Sequence, residues 1–279
     1  MGVAGAALST TIGNGLEMTN LMLWSQIKKA PTRLGKITFQ WSRKFLSSII
    51  ITCAPVILNE LFWSLGMVMY KIAYSRMGMD VVASVNVTEA ITNLFLVAAR
   101  AINIGASIII GIKIGEGKIE TSHLYARRFL IVGFSIGILM GILLAASSPF
   151  VPLIFNVSPE IRTMTSRSLL AISLLMPIKG ITGTFIVGIL RSGGDTRFSM
   201  FTEMGSVWLI GVPCAFLGAL VLKWDIWYVY LLIGLEEVAK SVVSAIRVRS
   251  GKWLNDVTKL TGNDVYPESL IDAESTSYV

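Results

Sequence analysis

A chain of 279 residues that is 53% hydrophobic and only 15% charged, with mean hydropathy +0.69, is not a soluble domain, which carries about 25% charged residues. Its net charge of +7 does not point to nucleic acid, because the basic residues fall in short segments between apolar runs, where membrane orientation explains them. Cys53 and Cys214 lie inside apolar runs and give neither a disulfide framework nor metal-ligand spacing, and the single histidine, His123, argues against a His-based triad or zinc site.

Seven apolar stretches, roughly 2–24, 45–73, 82–112, 129–148, 168–190, 199–222 and 227–246, predict an all-α polytopic membrane bundle of about seven transmembrane helices. About 20 apolar residues cross ~30 Å of hydrocarbon, so each is long enough, and 82–112 is long enough to tilt or emerge. The first stretch lacks a basic leader and does not read as a signal peptide. The sequence divides into an orphan helix (1–24), a basic linker (25–44), a six-helix lobe (45–252) and a mobile tail (253–279) with five acids after Trp253.

The second stretch carries Pro55 and then, near its middle, Asn59 and Glu60. A carboxylate at that depth costs roughly 2.5–3.5 kcal/mol on insertion scales, so it faces a cavity or a partner. Proline removes one helical hydrogen bond and tends to bend the helix, a combination from which ion sites are built. A neutral or paired acid inside a structural bundle is the plainer account of the same residues.

In the third stretch Asn86, Glu89, Asn93, Arg100 and Asn103 fall within about a 100° sector of one helix, a face that suits a cavity or neighbouring helices rather than lipid. Glu89 and Arg100 are eleven residues apart, about 16 Å of rise, too far to pair directly. Gly133, Gly137 and Gly141 form a ridge for close helix packing. Ser158 followed by Pro159 marks a helix start. Lys179, just after Pro177, needs a partner, for which Glu60 is a candidate; Lys71 lies near a boundary and reads as snorkelling. Glu203 sits near the end of its stretch, where interfacial solvation accounts for it, and Glu236 and Lys240 are spaced for an i,i+4 pair. The arginine-flanked Gly193-Gly194-Asp195 string lacks Walker spacing and reads as a tight reversal.

Alternate loops hold fifteen Lys/Arg against three, which places 25–44, 113–128, 191–198 and the C-terminus in the cytoplasm and the N-terminus outside. Gly15-Leu16-Glu17 and Gly234-Leu235-Glu236 stand at equivalent distances from the next cytoplasmic base, as in a repeated architecture.

Taken together, Ala54–Gly66, Gly188–Phe198, Gly205–Pro213, Gly234–Lys240 and Arg247–Trp253 resemble the multidrug and toxic compound extrusion (MATE) family, over about residues 2–254. Members of that family have twelve helices in two six-helix lobes around a central cavity and export organic cations and other amphiphiles in exchange for H+ or Na+. The resemblance implies a chain equivalent to the sixth helix plus the second lobe, which would not transport alone and would need a separate N-terminal half or a second copy. It also implies cation coupling at Glu60, with H+ or with Na+ bound near it, and no organic cofactor. Joined with the polar face of the third stretch and the lysine of the fifth, both read from the residues themselves, this gives the expected ion- and substrate-binding residues Asn59, Glu60, Asn86, Glu89, Asn93, Arg100 and Lys179. The expected partners are the lipid bilayer and small cationic or amphiphilic substrates, with no nucleic acid, in a multi-pass protein of the cell membrane that is not an enzyme. A seven-helix receptor and a lipid-linked precursor flippase are the rival readings.

Overall fold

The computed structural model describes residues 2–27 and 43–254, so most of the basic linker and the tail beyond residue 254 lie outside the described residues. Two compact units are present, Met1–Leu46 and Ser47–Val279. In the first, α1 (Gly2–Ile27) is a single rod whose Thr19 hydroxyl donates to the Gly15 carbonyl at 2.7 Å. It absorbs a polar side chain on its own backbone, as an apolar helix must.

The second unit is built from α2 (Arg43–Ser75, its first residues belonging to the first unit), α3 (Met79–Gly115), α4 (Ile119–Ser147), α5 (Pro159–Arg191), α6 (Thr196–Val221) and α7 (Ile226–Arg249). Among the described residues, five stretches are long and apolar enough to cross a membrane by length and composition: Val56–Ser75, α3, α4, α5 and α6. The first and last helices fall outside that set; α7 carries Glu236, Glu237 and Lys240 in its middle.

The α4 helix begins at Ile119, ten residues before the apolar stretch was expected to start, and continues helically through Arg127 and Arg128. Helix and apolar run need not coincide, because a basic turn can stay helical while its side chains reach polar surroundings. At the start of α5, the Ile161 amide donates to Ser158 Oγ at 3.3 Å with Pro159 as the first helical residue, so the cap reads as its sequence predicts.

The glycine ridge of α4 is a packing face. A Cβ at Gly137 would come within 2.7 Å of the Met176 carbonyl oxygen and Pro177 Cα, and one at Gly141 within 2.7 Å of the Ser173 oxygen. Only glycine lets α4 and α5 approach this closely. α5 in turn packs on α3 and α7, and α6 on α7, whereas α2 reaches its neighbours chiefly through side chains. The indole of Trp208 on α6 donates to the Phe62 carbonyl at 3.2 Å, and Tyr70, Ala73 and Tyr74 join Val207, Val212, Ala215 and Val229 in one apolar cluster.

Two helices contain π-helical turns, Thr184–Arg191 at the end of α5 and both Val207–Gly211 and Leu217–Val221 in α6. Each widens the ladder by one residue, a feature frequent at functional sites. At the basic end, fully buried Trp253 packs edge-on against His123 with ring centroids 5.5 Å apart. Arg247 Nε donates to Asp195 Oδ2 at 2.7 Å and its guanidinium lies 4.7 Å from the Phe198 ring centroid. The Gly193-Gly194-Asp195 string is thus the reversal between α5 and α6, tied to the end of α7.

Candidate functional site

Side chains of α2, α3, α5 and α7 enclose a cavity of about 370 Å³. Its apolar wall includes Trp63, Met67, Leu96, Ile172 and Ile233, and seven ionisable chains enter it: Lys71, Glu89, Arg100, Lys179, Glu236, Glu237 and Lys240. Their pairing follows the cost of burying charge, which is met by a partner and by hydrogen bonds. Glu236 and Lys240, nearly inaccessible, form an i,i+4 ion pair on α7, and the Tyr70 hydroxyl of α2 donates to the same carboxylate. Gly211, in a π-helical turn of α6, makes room for that Tyr70–Glu236 bond, since a Cβ there would occupy the same space.

Lys179 pairs with Glu237 at 3.3 Å, and Lys240 Nζ stands 4.0 Å from the same Glu237 carboxylate. Beneath them the Thr182 hydroxyl donates to the Ile178 carbonyl at 2.8 Å and lies 2.8 Å from Ser241 Oγ. Lys71 pairs with Glu89 at 3.3 Å, both half-exposed, and Arg100 Nη2 donates to Asn93 Oδ1 at 3.1 Å.

Glu60 does not line this cavity. Its side chain is 57% exposed and accepts from Arg191 Nη2 at 3.1 Å. The same Arg191 nitrogen lies 3.0 Å from Glu203 Oε2, and the Asn59 amide donates to that oxygen at 2.7 Å. Two carboxylates thus share one guanidinium. Asn59 is 2% exposed and its Oδ1 is buried without a partner.

The residues singled out from the sequence therefore separate. Glu89, Asn93, Arg100 and Lys179 meet in the cavity; Asn59 and Glu60 form a second cluster with Arg191 and Glu203; Asn86 is exposed and lines neither. The proposed Glu60–Lys179 neighbourhood is corrected, because Glu237 takes the lysine and Arg191 takes the glutamate. Glu203 is not solvated at an interface: its side chain is 17% exposed and bonded twice. Lys71 holds Glu89 instead of only snorkelling. Glu89 and Arg100 do not pair, as their spacing predicts. Asn103, from the same sector, accepts a 2.9 Å bond from Thr184, the first residue of the π-helical turn in α5.

Tyr70 and the cavity role of Glu237 escaped sequence reasoning. The available signal was the density of charge in α7, where Glu236, Glu237 and Lys240 sit within five residues of an apolar helix.

The MatE family model matches residues 55–217. The chain is 24% identical over 255 residues to the uncharacterized transporter YisQ of Bacillus subtilis, covering 91% of this chain and 56% of that protein. It is 24% identical over 163 residues to the multidrug resistance protein MdtK of Yersinia pseudotuberculosis, covering 58% of this chain and 35% of that one. Among solved structures it is similar to a MOP superfamily transporter from Pyrococcus furiosus, with TM-score 0.74 and 18% identity over 90% of this chain and 57% of that one. It is also similar to the Vibrio cholerae MATE transporter VcmN in its bent form, with TM-score 0.73 and 16% identity over 91% and 58%. The chain spans about half the length of the relatives it matches most extensively. A helical bundle with five membrane-length apolar stretches, matched by the family model over more than half its residues, makes this chain a multi-pass membrane protein of the MATE family.

Proposed function

We propose that this chain serves as the C-terminal half of a secondary active exporter that moves small amphiphiles, the organic cations of the family resemblance among them, in exchange for H+ or Na+. The observation that carries this reading is the cavity among α2, α3, α5 and α7, apolar on its wall and crossed by seven ionisable side chains. Such a chamber can hold an apolar body while fixing a polar head.

The Glu60–Arg191–Glu203 cluster is the coupling site in this reading. One guanidinium shared by two carboxylates leaves a net negative charge beside the unpartnered Asn59 oxygen, which suits one small cation or one proton. Alternating access requires one lobe to rock against another. The chain is therefore inactive as a monomer and active with a second six-helix lobe, supplied by another chain or a second copy. Nothing in the fold favours a receptor or a lipid-linked precursor flippase.

The test is ion-gradient-driven dye flux in proteoliposomes holding this chain in its active assembly. Glu60→Gln is expected to abolish gradient-driven flux at unchanged protein abundance; normal flux in that variant ends the case for this site. Orientation is proposed with the basic segments 113–128 and 191–198 in the cytoplasm. A single cysteine at residue 120 should resist an impermeant thiol reagent added outside the cell, and strong labelling there would reverse the topology.

A further inference from the structure

The cavity does not balance its own charge. Four cations, Lys71, Arg100, Lys179 and Lys240, face three carboxylates, Glu89, Glu236 and Glu237. Every carboxylate is committed: Glu89 to Lys71, Glu237 to Lys179, and Glu236 to Lys240 and the Tyr70 hydroxyl. Arg100 is the cation left over. Its bond among the described residues goes to the neutral Asn93 oxygen at 3.1 Å. Arg100 is exposed where it lines the cavity, so most of its five donors are open to an arriving ligand, and a guanidinium keeps its charge.

We propose that this cavity binds an amphiphile carrying a carboxylate or a similar planar anion, with the anion on Arg100 and the apolar body against the wall formed by Trp63, Leu96 and Ile172. The inference rests on the reading of this cavity as the substrate chamber and names the class of molecule it prefers. A monoanion offsets the surplus charge that this chain brings to the chamber, and the guanidinium fork matches a carboxylate in two parallel bonds. A simple organic cation would raise the surplus and find each acid already held by a lysine. The half-exposed Lys71–Glu89 pair is the most accessible of the three. Removing Glu89 therefore enlarges the positive surplus without disturbing the buried pairs on α7.

The experiment measures equilibrium binding to the purified 279-residue chain in an uncharged detergent by titration calorimetry. The probes are 2-naphthylacetate, an aromatic carboxylate, and tetraphenylphosphonium, a lipophilic cation. Naphthylacetate should bind more tightly than the cation. Arg100→Gln should weaken it at least tenfold, Arg100→Lys should weaken it less, and Glu89→Gln should tighten it several-fold.

Unchanged naphthylacetate affinity in a folded Arg100→Gln variant overturns the proposal. Should that variant not fold, the direction of change in Glu89→Gln decides, and weaker or unchanged binding overturns it. Binding of tetraphenylphosphonium as tight as or tighter than that of naphthylacetate also overturns it, while leaving the exporter reading intact. Binding of neither probe overturns the proposal, while the exporter reading, which needs a second lobe, is judged by the flux assay.

Discussion

Glu60 and Glu236 each interrupt an apolar helix, and the protein surrounds them in opposite ways. Glu236 is nearly inaccessible, fixed by Lys240 one turn along its own helix and by Tyr70 from α2. Glu60 is half in the open and shares Arg191 with Glu203, so its guanidinium partner keeps a second carboxylate if Glu60 leaves. The first arrangement is closed and self-sufficient. The second is exposed and over-supplied with acid, which is what the proposed coupling role of Glu60 requires. Depth along a helix alone does not separate these two arrangements; the partners do.

The largest effect is expected at the closed site. Glu236→Leu leaves Lys240 buried with only Glu237, 4.0 Å away and already held by Lys179, and should destabilise the protein by about 3–5 kcal/mol. The double replacement Glu236→Leu with Lys240→Met should recover most of that loss, since an apolar pair needs no desolvation repaid. Thermal melting of the three proteins in one detergent checks this; a double variant no better than the single would show that the pair holds α7 by more than charge.

A smaller effect is expected from the frame that positions Lys179. Gly137→Val must push against the backbone of α5 at Met176 and Pro177, at a cost of about 1–3 kcal/mol. Melting reads the loss, and crosslinking between cysteines on α4 and α5 reads the displacement.

At the open site the stability change should be slighter still. Glu60→Gln removes an exposed ion pair, worth about 0–1 kcal/mol, while Arg191 retains Glu203. A loss of flux without a loss of melting temperature would separate the two carboxylates cleanly.

The smallest effect concerns Glu116, in the turn between α3 and α4. Hydrogen bonds from Lys118, at 2.8 Å, and Lys113, at 2.9 Å, hold its carboxyl down at about 2, below the ordinary 4.5. A folded value below the unfolded one contributes stability that is fully present above pH ~4.5 and is lost as pH falls through about 2. The carboxyl lies at the surface, so the readout is a carbon-13 titration rather than a melt. Lys118→Ala should move the midpoint back toward the ordinary value.

The helices were legible because apolar length is a local property. So were the Ser158 cap, the glycine ridge and the Glu236–Lys240 pair, each set within a few residues of sequence. The partners of Glu60 and Lys179 were not, being 131 and 58 residues away along the chain. Periodicity assigns a residue to a face of its helix; it says nothing about which helix arrives at that face. Asn86 shows the limit within a single helix, sharing a sector with Glu89 and Asn93 yet remaining outside their cavity. The early start of α4 was missed because hydropathy marks the apolar part of a helix and not its end.

The π-helical turn at Val207–Gly211 has a consequence for how α6 tolerates a change in its length. The turn carries one residue more than an α-helical ladder requires, and Leu209 within it is 79% exposed. Deleting Leu209 would let the ladder close as ordinary α-helix, keeping the rod continuous. The parts before and after the turn would keep nearly their present relation, because the wide turn already absorbs the extra residue. Glu203, four residues upstream of the turn, would keep facing Arg191 and Asn59, whereas a residue lost from the α-helical part between them would turn it by about 100°. Along this helix the wide turn is a place where one residue can be lost while the aim of that carboxylate is kept.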